Sequence, residues 1–371
     1  MNELITNAAV LRDSKKPLSF EELTIEAPKA GEVRISIRSC GVCHTDYSLA
    51  KGILDHQPVP SVLGHEGSGI VTDIGPGVSN VQVGDHVVMA PIAPCGQCGR
   101  CLNNEGAYCE REEIRGWGVL PDGRTPLKDK NGNDIAVALN SAFFSDYAVV
   151  PSTAVAKIPE NVSFEIASLL GCAVVSGYGA VVNTADLQVG SSILVVGLGG
   201  VGLSSVMSAK IRGAYPIIGV DPSSERRNLG KEVGCDEVLT VEEFNGIDLQ
   251  NFNGGFDTII EASGAKPAIE KCMSLLRRHG ICVYVGAAES TYELKIPHLE
   301  LVATGKRLSG CLTGEVRPAV DLANLAKLYS AGRLPLDIFI SNRRPLNELE
   351  LAFDDLEKNI GLRTLITWPE H

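Results

Sequence analysis

Hydrophobic and polar positions fall into two textures that meet near residue 190. Before it, short β-branched runs such as GEVRISIRSC, SGIVTDIG and GDHVVMA stand between Gly and Pro residues. This predicts a β-rich region over residues 1 to about 175. After it, SSILVVGLGG, PIIGVD, FDTIIEAS and ICVYVGA read as continuously apolar strands. VGLSSVMSAKIRG, SSERRNLGKEVG and PAIEKCMSLLRRHG read as the helices between them. Such alternation predicts βαβ units and a parallel sheet covered on both faces. Near the end, RPAVDLANLAKLYSAG reads as an amphipathic helix, and LRTLITW as a strand that returns to the first region. Between Cys109 and Ser145 runs a polar excursion with Pro-Asp-Gly and Asn-Gly turn signals. Its length marks it as functional or as an elaboration on a compact core.

Length and composition add limits. A chain of 371 residues, 44% hydrophobic and 21% charged, is expected to form two globular domains. A net charge of −12 argues against nucleic acid or an anionic membrane as partner. A nucleotide phosphate would therefore need a local device such as a helix N-terminus. MNELITNAAVLRDSKK lacks a signal-peptide core, and no uninterrupted apolar run approaches the ~20 residues of a membrane span. The expected compartment is the cytoplasm. There, eleven cysteines point to thiols or metal ligands rather than disulfides.

Gly197-x-Gly199-x-x-Gly202 follows a predicted strand and opens a predicted helix, and Asp221 ends the next strand. This is the dinucleotide-binding pattern. Gly197 allows a tight turn, Gly199 lets the backbone approach a pyrophosphate, and Gly202 lets helix and strand pack closely. Gly200 and Val201 complete the loop. Asp221, with Arg226 in support, would bind the adenosine ribose and repel a 2′-phosphate, which selects NAD. The plain alternative is glycines that only ease packing and an aspartate that caps a helix.

Cys95, Cys98, Cys101 and Cys109 form C-x2-C-x2-C-x7-C, a spacing that can wrap one tetrahedral zinc. A ferredoxin-type cluster uses a shorter last gap followed by proline. Cys40-Gly41-Val42-Cys43-His44 leaves three readings open on its own: c-type haem attachment, a redox dithiol, or part of a metal site. Cys43, His65 and Cys172 would make three ligands with an open fourth position. Spacing alone does not join these three.

Taken together and in order, CGVCHTD, GHEGSGIVTDIG, GDHVV, the four-cysteine lobe, GCAVVSGYGAV, GLGGVG with Asp221, and GLRTLI resemble the zinc-dependent medium-chain alcohol dehydrogenase family. The resemblance implies an α/β chain: a β-rich GroES-like catalytic domain (1–174, with a structural-zinc lobe at about 93–112), a doubly wound Rossmann NAD domain (175–317), and a return segment (318–371). It implies a catalytic zinc on Cys43, His65 and Cys172, with Glu66 close to the metal and Asp46 orienting His65. The structural zinc falls to Cys95, Cys98, Cys101 and Cys109. Thr45 would touch the substrate alcohol, and His44 and Arg363 the cofactor pyrophosphate. The implied reaction is reversible oxidation of an alcohol to an aldehyde or ketone by hydride transfer from a zinc-bound alkoxide to NAD.

One position departs from part of the family: Ser48 stands where some members place a relay histidine, with His56 a candidate substitute. The resemblance puts Ile92, Leu139, Phe144 and Val175 around the substrate, with Ala138 leaving room for more than ethanol. The segment from about 111 to 140 implies the dimeric branch. The runner-up reading is the glutathione-dependent formaldehyde dehydrogenase branch, for which Arg111 or Arg115 would hold a carboxylate. A third reading is a non-catalytic protein that binds zinc and NAD.

Overall fold

The computed structural model describes residues 3–14, 16–54, 57–111, 117–289 and 291–369. The readings placed on His56 and Arg115 lie outside the described residues. The chain divides into two compact units, Met1–Cys172 with Val316–His371, and Ala173–Glu315. The sequence reading places these divisions after residues 174 and 317.

In the first unit the strand Glu32–Gly41 is buried at almost every position, as a central strand should be. It pairs antiparallel with Glu66–Ile74. It also pairs with Tyr147–Pro151 through its first half and with the C-terminal strand Arg363–Thr367 through its end. The last pairing sets Leu365 opposite Gly41 and Ile366 opposite Cys40. In a second sheet, Ser61–Val62 pairs with both Leu4–Leu11 and Asp134–Ala138, so the sheet closes on itself. The polar excursion contributes Leu127–Lys128 and Asp134–Ala138 to this ring, and Trp117–Gly118 pairs with Asp134–Ala138. Closure removes exposed sheet edges. Between the elements lies a core that includes Phe143, Phe144 and Phe353, and the Phe144 and Phe353 rings meet edge-on at 6.3 Å.

The second unit carries six parallel strands, Ile193–Val196, Ile217–Val220, Glu237–Leu239, Phe256–Glu261, Leu276–Tyr284 and Arg307–Gly310. Numbered in chain order, they lie side by side as 3-2-1-4-5-6. This is the dinucleotide-binding order, which reverses direction between the first and fourth strands. GroES-like and doubly wound parts are thus both present, as the sequence implied. One element differs. The helix expected through LRRHG stops at Leu275, and Leu276 starts the fifth strand opposite Phe256. A register shift follows, with His279 at φ 64°. Pairing to the neighbouring strand overrides local helix propensity there.

Helix Phe164–Thr184, 21 residues with mean hydropathy 1.6, is long and apolar enough to cross a membrane, although Ser168, Ser176 and Asn183 interrupt its run. However, 78% of its apolar window is buried inside the protein, which makes it a core helix. Ser163 caps its start by accepting from Ile166 N–H. The helix widens into π turns at Leu170–Val174 and Ala180–Thr184.

Candidate active site

Three elements of the first unit converge on one largely buried cluster. Cys43 sits at the start of the short helix His44–Ala50. His65 and Glu66 enter the strand Glu66–Ile74, and Cys172 projects from the first π turn of the long helix. Such wide turns recur at functional positions because they rotate one side chain out of helical register. Ligand atoms of Cys43, His65, Glu66 and Cys172 all lie within 4.8 Å of one another.

Hydrogen bonds fix the cluster. Asp46, in the first helical turn, accepts from Gly64 N–H at 2.9 Å and from Cys43 N–H at 3.4 Å. Asp46 Oδ1 also lies 3.1 Å from His65 Nδ1, which assigns the ring proton to Nδ1 and leaves Nε2 as a donor atom for a metal. Glu66 Oε1 pairs with Arg363 at 3.0 Å, and Arg363 donates its other terminal nitrogen to the Val42 carbonyl at 3.2 Å. Glu66 Oε2 is buried with no hydrogen-bond partner among the described residues. A buried carboxylate oxygen without a donor carries a desolvation cost, and a cation beside it removes that cost.

Electrostatics follow the same layout. Donation from Cys172 holds the Cys43 thiol well below its usual pKa and Cys172 well above it. Burial lowers the His65 pKa, but Asp46 and Cys43 outweigh it and hold His65 well above its normal value. Burial lifts Glu66 to about 7 against the pull of Arg363. The set of two thiolates, an imidazole and a carboxylate suits zinc by softness and number.

The lobe makes a second set within one segment. Cys95 and Cys101 sulfurs stand 3.9 Å apart, and those of Cys98 and Cys109 stand 3.6 Å apart. Tetrahedral zinc with ordinary zinc–sulfur bonds requires about 3.8 Å between sulfurs. The N–H groups of Glu110 and Cys101 pull the Cys98 thiol down to about 6, while burial pushes Cys101 up to about 12. These two groups are the metal-sized clusters of ligating side chains among the described residues. No disulfide joins the eleven cysteines, and Cys40 is buried with its thiol on the Gly41 carbonyl.

In the second unit the fingerprint loop is preformed. Gly197 takes φ 90°, and a side chain on Gly202 would collide with the Gly197 carbonyl. Gly199 caps the twelve-residue helix Gly200–Ile211, and Gly200 and Val201 are half-buried at its start. Asp221 accepts from Leu198 N–H at 2.8 Å and Ser223 N–H at 2.9 Å, so it braces the loop. Each carboxylate oxygen keeps a lone pair for a further donor. Arg227 binds the Asp221 and Pro222 carbonyls, whereas the Arg226 guanidinium makes no hydrogen bond among the described residues.

The other candidates are placed as follows. His44 is exposed, and Thr45 and Ser48 are half-buried three residues apart on the short helix. Ile92 and Leu139 are half-buried, and Ala138 is fully buried. Phe144 packs in the core against Phe353, and Val175 is fully buried in the second unit. Leu139, Asn140 and Ala142 have positive φ (52°, 59° and 69°), a strained run of the kind that marks functional loops. Ser141 ties that run to the metal cluster by donating to the carbonyls of Ala138 and Gly64 at 2.7 and 2.8 Å. Sequence reading missed Ser141, and no local motif signals it.

Residues 29–160 match the profile of the alcohol dehydrogenase GroES-like domain, and residues 200–330 match that of the zinc-binding dehydrogenases. The S-(hydroxymethyl)glutathione dehydrogenase of Saccharomyces cerevisiae is 36% identical over 97% of this chain and 95% of its own length. The chain belongs to the zinc-dependent medium-chain alcohol dehydrogenase family. Class-3 alcohol dehydrogenase of Dictyostelium discoideum is 35% identical to this dehydrogenase, with 97% of each chain covered. Benzyl alcohol dehydrogenase of Acinetobacter calcoaceticus superposes with TM-score 0.91 at 29% identity, covering 100% of both chains. An alcohol dehydrogenase zinc-binding domain protein from Burkholderia ambifaria superposes with TM-score 0.93 at 31% identity, again over 100% of both.

For this dehydrogenase, Asp46→Asn should cost roughly 10- to 100-fold in zinc affinity or turnover, because it loosens His65 while leaving every ligand in place. Zinc loss to a chelator, timed alongside kcat/KM, checks this. Unchanged values for both would remove the orienting role.

Proposed function

We propose that this dehydrogenase oxidises an alcohol larger than ethanol to the aldehyde or ketone, with NAD as hydride acceptor. The observation that carries the reading is the buried Cys43–His65–Cys172 cluster with a partnerless Glu66 oxygen beside it. Cys43, His65 and Cys172 would hold the catalytic zinc. When bound, zinc supplies a Lewis acid that acidifies an alcohol, and the nicotinamide supplies the hydride acceptor. Thr45 holds the substrate hydroxyl and accepts its proton while releasing its own toward Ser48, three residues along the same helix. Ser48 in turn hands a proton to water and, unlike a histidine, stores none near neutrality. Arg363 keeps Glu66 in place and is the candidate contact for the cofactor pyrophosphate, with His44. The Gly197–Gly202 loop seats the pyrophosphate, and Asp221 takes the ribose. Ala138, small and paired across from Trp117, supports the larger substrate. On this reading the protein is a cytoplasmic homodimer, and sedimentation at tetramer mass would overturn the dimer.

The relatives named S-(hydroxymethyl)glutathione dehydrogenase favour a second reading, the glutathione–formaldehyde adduct as substrate. Arg111 is exposed next to Glu110, which leaves a substrate carboxylate an acidic neighbour. For that reason we rank it second. NADH formation from linear and aromatic alcohols, each with and without glutathione and formaldehyde, separates the two. The leading reading expects kcat/KM to rise from ethanol to larger alcohols. Turnover confined to the adduct would transfer the protein to the second reading.

A further inference from the structure

Glu261 is a buried titratable group that the proposed chemistry leaves unused. It ends the fourth strand, Phe256–Glu261, which lies parallel beside Ile193–Val196 at the point where strand order reverses. Ligands of open α/β sheets bind outside the carboxyl ends of strands at that point. The Glu261 side chain is fully buried. Its Oε1 accepts from Ser263 N–H at 2.9 Å, from the Ser263 hydroxyl, and from Gly264 N–H at 3.0 Å. Oε2 lies 3.3 Å from the same Gly264 nitrogen. Burying a carboxylate is costly unless hydrogen bonds compensate, and here the donors come from the two residues of one turn. The carboxylate therefore dictates the shape of that turn.

The turn is wedged between the fingerprint loop and the end of the fifth strand. A side-chain carbon on Gly197 would lie 2.9 Å from Ser263 N and 3.0 Å from Ser263 Cα, so Ser263 rests directly on the first fingerprint glycine. On the other side, a carbon on Gly286 would lie 2.9 Å from Glu261 Oε2. Backbone bonds complete the junction: Ala262 N–H donates to Val196 at 2.8 Å, and Val285 and Gly286 donate to the Glu261 carbonyl at 2.8 and 3.0 Å. Glu261 thus ties together the ends of the first, fourth and fifth strands.

We propose that Glu261 is a positioning residue for the dinucleotide. Its carboxylate fixes the Ser263–Gly264 turn that supports Gly197, and so sets dinucleotide affinity without touching the reacting atoms. This rests on the reading of Gly197–Gly202 as the dinucleotide site.

The test uses the full-length zinc-loaded protein. NADH and NADPH dissociation constants come from fluorescence, and KM and kcat from the best alcohol of the panel. Glu261→Ala removes the acceptor that the Ser263 and Gly264 N–H groups share and so releases the turn, and the dissociation constant and KM for the dinucleotide should rise roughly 10- to 100-fold, while kcat at saturation stays within about threefold. Glu261→Gln keeps an acceptor for those N–H groups and should recover most of the affinity. A purely structural role would lower the melting temperature of the ligand-free protein and leave affinity unmoved. Unchanged affinity in Glu261→Ala would overturn the proposal. If that variant does not fold, Ser263→Ala, which removes only the hydroxyl bond, carries the test. A severalfold weaker affinity supports the proposal, and none overturns it. Wild-type protein that binds neither dinucleotide would overturn the nucleotide-site reading itself. Wild-type binding with an indifferent Glu261→Ala overturns the positioning role alone.

Discussion

Replacing Cys172 by alanine is expected to lower alcohol oxidation by at least about three orders of magnitude, since a bound Lewis acid contributes several kcal/mol and each 1.36 kcal/mol is tenfold in rate. The zinc content should fall from two ions per chain to one, following the two clusters that fit a metal. The reasoning starts from the ligand count. Cys43, His65 and Cys172 are three groups contributed by three separate elements, and removing one leaves a thiolate and an imidazole that must hold the metal alone. In addition, Glu66 Oε2 has no hydrogen-bond partner among the described residues. Losing the metal would leave that carboxylate buried against nothing but the Arg363 ion pair on its other oxygen. The lobe should keep its ion, because Cys95, Cys98, Cys101 and Cys109 come from one segment and, among the described residues, share no hydrogen bond with the cluster. Metal analysis of the purified variant, paired with kcat/KM, reads both halves of the expectation. Activity that survives with a single zinc per chain would remove the metal from the chemistry and leave the cluster a structural role.

The contrast between the two metal sets explains what could be read without coordinates. Four cysteines within one short segment carry their own geometry, and so does G-x-G-x-x-G between a strand and a helix. In both cases the chemistry depends on neighbours in sequence. The alternation of apolar strands and helices after residue 190 made the parallel sheet legible for the same reason. Cys43, His65 and Cys172 were joined only by family resemblance, because their meeting depends on how distant elements pack. The Arg363–Glu66 pair spans 297 residues of chain and depends on the C-terminal strand pairing with Glu32–Gly41. Nothing local announces such a contact. Helix Phe164–Thr184 has no clear signal in sequence because Gly171, Gly177, Gly179 and several valines depress helix propensity, and burial supplies what propensity lacks. Glu261 has no sequence signature, because an isolated glutamate at a strand end looks like any other. Its role depends on Gly197 lying against Ser263 in a neighbouring loop.

The second large effect concerns which dinucleotide the protein takes. Asp221→Ser should move the ratio of kcat/KM for NAD over NADP by roughly three orders of magnitude toward NADP, since it removes an anion that repels a 2′-phosphate and a donor-accepting partner of the ribose. Asp221 is buried at the end of the second strand of its unit, where charge repulsion is poorly screened. Its two oxygens already brace Leu198 and Ser223 N–H groups, so the carboxylate is held in one orientation. Serine removes the charge while a hydroxyl can still meet one of those N–H groups. The Arg226 guanidinium has no partner among the described residues and would then be available to a phosphate. Two contributions should therefore separate. The loss of NAD efficiency reports the ribose contact, and the gain with NADP reports relief of repulsion. Arg226→Ala added to Asp221→Ser should cancel part of the NADP gain and weaken NAD use by a smaller factor, since a phosphate offers the guanidinium more than a ribose does. Initial rates with both dinucleotides on the single and double variants decide the matter. A ratio that does not move would mean that Asp221 only braces the loop, and that NAD selection lies elsewhere in the site.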